Sequence, residues 1–203
     1  MLWAFAVALL AFALGGKRAR GRFTSERTPV RGDGETRRRN FVRLVKRAVP
    51  SGLRWELVAT HGANESGYGR SSFGFFIFGI KSTGWSGRVA IAVPVEITER
   101  GPEAVAAWRA STNAAIAAGR TPPNAFRAYA SHAASVKDYV RFLRSNYPAV
   151  YAILAESGHP TGDDAARYAR ALAPRYVDNR NDPDGDALAE SFRDILREVV
   201  RLA

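Results

Sequence analysis

Leu53, Leu57, Val58 and His61 recur at i, i+4, i+5 and i+8, the spacing of one helix face, in a run that extends to Asn64. Glu65 stands at its end, and Gly67 and Gly69 stop the helix at once. A chain with this feature must bury an apolar helix and finish it on a carboxylate. That carboxylate is half buried, rigidly held and still able to face a cleft. A carboxyl serving as a general acid near neutral pH needs such surroundings to keep its proton.

The rest of the chain supplies helices to pack around this one. Phe41, Val42, Leu44, Val45 and Val49 form a helical stripe that ends at Pro50-Ser51-Gly52. Residues 72–87 are aromatic and glycine-rich and read as loop. Val89 to Val95 reads as a short edge strand with Pro94 near its end. Pro102 and Glu103 open an Ala-rich helix that closes on Gly119. Ser131 caps a helix to about Ser145, and Pro148 opens a short one through Glu156. Thr161 caps another to about Leu172, with Asp164 at its third position. Leu188, Phe192, Ile195, Leu196, Val199 and Val200 mark an amphipathic last helix. The fold class is therefore mostly α (α+β), with one small β element.

Charge and hydropathy divide the 203 residues further. Residues 1–16 carry no charged side chain, and Leu2 to Leu14 is continuously apolar. Residues 17–47 hold 12 Lys or Arg against 3 acids, whereas residues 48–203 hold 18 against 16. The division reads as an apolar segment 1–16, a basic flexible linker 17–38 and a globular domain 39–203. Such a basic stretch suits nucleic acid, anionic lipid or anionic wall polymer equally, and equally a solvated linker. The near-even charge of the domain and the lack of a reader motif argue against a nucleic-acid partner. For the apolar start three readings stand: a secretory signal with Ala11-Phe12-Ala13 as cleavage site, a membrane anchor through residues 2–14, or a mis-assigned start. There is no cysteine, and His61, His132 and His159 share no ligand spacing, so no metal and no cofactor are expected.

Several blocks together resemble one family. Glu65-Ser66-Gly67-Tyr68-Gly69 is followed by Phe78-Gly79-Ile80-Lys81, then by Trp85-Ser86-Gly87. Downstream come Phe126-Arg127-Ala128-Tyr129 and the pair Asp138-Tyr139, then Tyr176, Asp178 and Asp182-Pro183 before the last helix. In this order they resemble the bacterial glucosaminidases of glycoside hydrolase family 73, the wall-hydrolase domain of flagellar rod-cap proteins. The resemblance covers roughly residues 50–200. It implies a lysozyme-like domain that cuts β-1,4 bonds of peptidoglycan glycan strands, outside the cytoplasm or from a phage, without a cofactor. It makes Glu65 the acid, Tyr176 a support near the scissile bond, and an acidic residue after Trp-x-Gly the second carboxyl. Glu96 fits that place, with Glu99 and Glu103 as competitors. Tyr68, Phe78, Lys81, Trp85 and Tyr129 are then candidates to contact sugar, with core packing the alternative for the aromatic rings.

This chain departs from the family at Phe76 and Ile77, where two Asn are usual, and at His61, where Gln is common. The Ala-rich helix replaces a short hairpin, and the Tyr176 loop is longer. A phage lysin of the same chemistry and a non-catalytic wall-binding module remain alternatives. The bond cut, the anomeric outcome and the oligomeric state are not legible.

Overall fold

A computed structural model of the chain describes residues 23–24, 27–122, 124–176, 182 and 184–203. The apolar segment 1–16, with its signal and anchor readings, lies outside the described residues. Among the described residues no helix is long and apolar enough to cross a membrane.

The elements run β1 (Phe23–Thr24), α1 (Gly34–Ala48), α2 (Trp55–Ser66), β2 (Val89–Ile91), α3 (Val95–Glu99), α4 (Pro102–Ala117), β3 (Ala125–Arg127), α5 (His132–Asn146), α6 (Pro148–Leu154), α7 (Gly162–Tyr176) and α8 (Asp186–Leu202). The chain is mostly helical with one small sheet, as its patterning requires. Helix α2 is the axis of the bundle. Leu57 to Ala63 is buried without interruption, so this helix has no wet face in its middle. Around it pack α1 through Phe41, Val42 and Val45, α5 through Tyr139 and Leu143, α7 through Tyr168 and Leu172, and α8 through Phe192, Leu196 and Val199.

The sheet lies to one side, in the order β1-β2-β3. Strand β2 pairs in parallel with β1 and antiparallel with β3, in the register Ala90 opposite Thr24 and Phe126. Strand β2 is thus central, and the expectation of an edge strand is corrected. Pro94 falls beyond its end as the N-cap of α3, where a missing N–H costs no ladder bond. A second, smaller apolar cluster of Val89, Ile91, Ile116 and Ala125 joins the sheet to α4.

The domain begins earlier than residue 39. Helix α1 starts at Gly34, and Val30 is buried in the main core. The Thr28 and Val30 N–H groups donate to Ser72 O at 2.9 Å and Gly69 O at 3.1 Å. Residues 27–38 of the segment read as linker are therefore part of the fold. Arg38 of that segment is tied to Glu198 by an ion pair, and its Glu35 to Arg39.

Candidate active site

The end of α2 is built by its own sequence. Ser66 Oγ donates to Gly62 O at 2.6 Å and accepts from the Gly69 N–H at 2.8 Å, which closes the helix on itself. Gly67 takes the left-handed conformation (φ 57°, ψ 51°) and caps it. Tyr68 follows at φ 58°, a conformation that costs a non-glycine residue about 1–3 kcal/mol. Packing offsets it: the Tyr68 ring meets Phe41 edge-on at 5.7 Å and lies 5.5 Å beneath the Arg38 guanidinium. Desolvation, reinforced by Glu198 and opposed by Arg38 and Arg201, pushes the Tyr68 phenol up to about 12. Tyr68 therefore belongs to the seam of α1 and α8.

Glu65 sits one turn beyond Gly62 on α2, with its side chain 21% exposed. Its Oε1 is 3.5 Å from His61 Nε2, one helical turn back on the same face. Its Oε2 faces the Phe78–Lys81 loop: a Cβ on Gly79 would lie 3.7 Å from Oε2 and 3.7 Å from the Phe126 ring. Glycine at 79 thus brings loop backbone beside the carboxylate. The loop is held by β3, since Arg127 N–H donates to Ile80 O at 2.9 Å and Ser82 N–H to Ala125 O at 3.0 Å. Lys81 pairs opposite Phe126 and places its ammonium 4.3 Å from that ring's centroid. Lys81 as a whole is exposed, yet partial desolvation at the ring lowers its pKa from the ordinary lysine value.

The other aromatic candidates divide by burial. Phe78 is fully buried and stacks face to face on Tyr139, with centroids 3.8 Å apart. No ligand reaches it, and its reading as a sugar contact is corrected. Tyr129 is also buried, and its hydroxyl donates to Asp138 Oδ2 at 2.9 Å. Burial and then the Asp138 carboxylate raise its pKa, and it too is corrected from sugar contact to anchor. Asp138 accepts a second bond from Arg127 at 2.9 Å, so one carboxylate ties β3 to α5. Trp85 stays half buried, 5.0 Å from the Arg127 guanidinium and 5.9 Å from the Tyr129 ring. Its Nε1–H donates to Arg88 O at 2.8 Å. The Trp-x-Gly spacing has a cause here: a Cβ on Gly87 would lie 2.7 Å from the Trp85 indole.

Phe76 and Ile77, the two departures from the Asn pair, are packing residues. Phe76 stacks on Phe126 at 5.4 Å, and Ile77 is buried against Gly62. Glu96 is exposed on the first turn of α3. Glu99 and Glu103 are exposed on α3 and α4. Tyr176 is the last residue of α7, but its side chain and Asp178 lie outside the described residues. Asp182 caps α8, accepting from the N–H groups of Ala187 at 3.2 Å and Leu188 at 3.1 Å.

His132 is buried and donates to Thr28 O. His159 is 92% exposed, although its Nδ1 lies 2.8 Å from the buried Glu56. Sequence reasoning did not single out His61 as a site residue. Its ring is 2% exposed, with Nδ1 2.5 Å from Tyr139 OH, which lies 2.8 Å from Tyr168 OH. The available signal was its place four residues before Glu65, where the resembling family often has Gln. No family model, curated protein or solved structure matches this chain.

Proposed function

We propose that this chain is a peptidoglycan hydrolase with a lysozyme-like fold, an endo-β-N-acetylglucosaminidase that cuts β-1,4 bonds of the glycan strand. One observation carries the reading: Glu65, in the last turn of a helix buried from Leu57 to Ala63, keeps its side chain 21% exposed on the side of Gly79 and Phe126. Two of the ordered sequence blocks support it, since Gly79 lies beside that carboxylate and Phe78 and Tyr129 are buried in the framework behind it.

In the proposed mechanism Glu65 gives its proton to the glycosidic oxygen as the bond to the sugar carbon breaks. Water adds its oxygen to that carbon, and its proton passes to a second carboxylate, assigned to Glu96 with Glu99 and Glu103 as alternates. Separation of the two carboxyls by roughly 6.5–9.5 Å would favour inversion. Trp85 would present a ring face, and Lys81 a cation, to the strand. Tyr176 is kept as the support near the scissile bond.

The test is release of soluble fragments from purified sacculi by the full chain. Glu65→Gln is expected to lower the rate by about 10²–10⁴-fold, the usual worth of a positioned general acid. Glu96→Gln is expected to lower it strongly, and Glu99→Gln and Glu103→Gln little. Mass spectrometry of borohydride-reduced products names the bond. Folded wild-type protein that leaves sacculi intact would sink the hydrolase reading and favour a wall-binding module.

A further inference from the structure

Glu65 has two unequal oxygens. Oε1 lies 3.5 Å from His61 Nε2, and Oε2 lies on the side of Gly79 and Phe126. His61 is closed in by Phe78, Tyr139, Tyr168 and Phe192, each ring centroid within 6.4 Å of its own. Titratable groups beside it include Glu65 from α2, Tyr139 from α5 and Tyr168 from α7, and α8 and the loop add the hydrocarbon rings of Phe192 and Phe78. An imidazole in such surroundings takes the tautomer its polar neighbours dictate.

The direction of the chain follows from what each group can do. While Glu65 is ionised it only accepts, so the nitrogen facing it carries the hydrogen. Nδ1 then has a lone pair, and Tyr139 OH must donate to it. Tyr139 oxygen is left to accept from Tyr168 OH. Every hydrogen along Tyr168, Tyr139 and His61 points toward Glu65.

Resting on the hydrolase reading, we propose that His61 is the positioning residue that decides which oxygen of Glu65 transfers the proton. With Tyr139 still donating to Nδ1 when Glu65 takes up its proton, the Nε2–H tautomer keeps Oε1 as an acceptor, so the proton resides on Oε2, on the side of Gly79 and Phe126. When Oε2 gives that proton to the leaving oxygen, the new carboxylate charge faces an N–H already in place, with no water to reorganise.

The test uses the full chain. Nitrogen-15 NMR should show His61 with Nε2 protonated and Nδ1 bare, and Tyr139→Phe, which keeps the ring stacked on Phe78, should mix the two tautomers. His61→Leu should move the alkaline limb of kcat/KM on soluble glycan upward by about one pH unit, because the ionised form of the acid loses its donor. His61→Gln, which keeps a donor, should restore most of the wild-type limb. An Nδ1–H tautomer in wild type overturns the proposal. So does a His61→Leu profile lowered uniformly with its limb unmoved, the mark of a merely structural role. An inactive wild type that still shows the Nε2–H tautomer overturns the hydrolase reading and supports the hydrogen-bond order.

Discussion

Gly62 leaves room for three side chains at once. A Cβ there would lie 2.8 Å from Ile77 Cγ2, 3.0 Å from Phe41 Cζ and 3.1 Å from Phe78 Cζ. The loop carrying Gly79 crosses α2 at this point, one turn before Glu65. Gly62→Ala adds about 1 kcal/mol of helix propensity and loses about 1–3 kcal/mol to overpacking of rings that cannot retreat. The expected outcome is a lower urea midpoint, and a fall in sacculus hydrolysis larger than the stability loss explains, because the loop is pushed off Glu65. An unchanged midpoint would show that Ile77 and Phe78 yield freely. The helix end that carries Glu65 was legible because its signals are local: a helical spacing and two glycines. His61 was not, because Tyr139 and Tyr168 arrive from α5 and α7. Phe78 and Tyr129 misled for a related reason, since an aromatic ring looks the same in sequence whether it faces sugar or core.

Helix ends announce themselves, while sheet partners do not. Ser131 caps α5 by accepting from Ala134 N–H at 3.2 Å, and Thr161 and Asp164 exchange the reciprocal bonds of a capping box at the start of α7. Each lies within three residues of its partner, which is why spacing alone found them. Strand β2 was read as an edge from the nearby Pro94, and its partner β1 was hidden because it comes from a stretch that composition marks as basic linker. Three segments meet again at His132 on α5, whose Nε2–H donates to Thr28 O at 2.6 Å, 3.2 Å from Ser72 Oγ. Burial lowers the His132 pKa from its ordinary value, with the Thr28 carbonyl opposing. The unfolded chain therefore binds that proton more readily. The stability contribution is full above about pH 6.5 and is lost as pH falls below it toward the folded pKa. Urea midpoints should drop between pH 7.5 and 5.0, and His132→Gln should flatten that drop. A wild-type midpoint independent of pH over this range would sink the assignment.

Across the whole molecule, charge composition and core membership part ways. Residues 17–47 look like a tail by net charge, yet α1 and the strand before it close one side of the bundle. Alternation of charge with apolar residues in α1 allows both: Phe41, Val42 and Val45 face inward while Arg39, Arg43 and Arg47 stay in water. Val30 is the decisive residue, because it buries its side chain against Gly69, where a Cβ would come within 2.4 Å of Val30 Cγ2. It thereby backs the turn that holds Glu65. A chain beginning at residue 39 loses this valine, worth about 1.5–3 kcal/mol of burial. It also loses the Thr28 bonds to the aromatic loop, where Thr28 Oγ1 accepts from Phe75 N–H at 2.6 Å. It should unfold at a lower urea midpoint and lose hydrolysis of sacculi, whereas a chain beginning at residue 23 should keep both. Equal midpoints for the chains starting at 23 and 39 would return residues 27–38 to the status of linker. A normal midpoint with lost hydrolysis in the shorter chain would place their role at the Glu65 turn rather than in global stability.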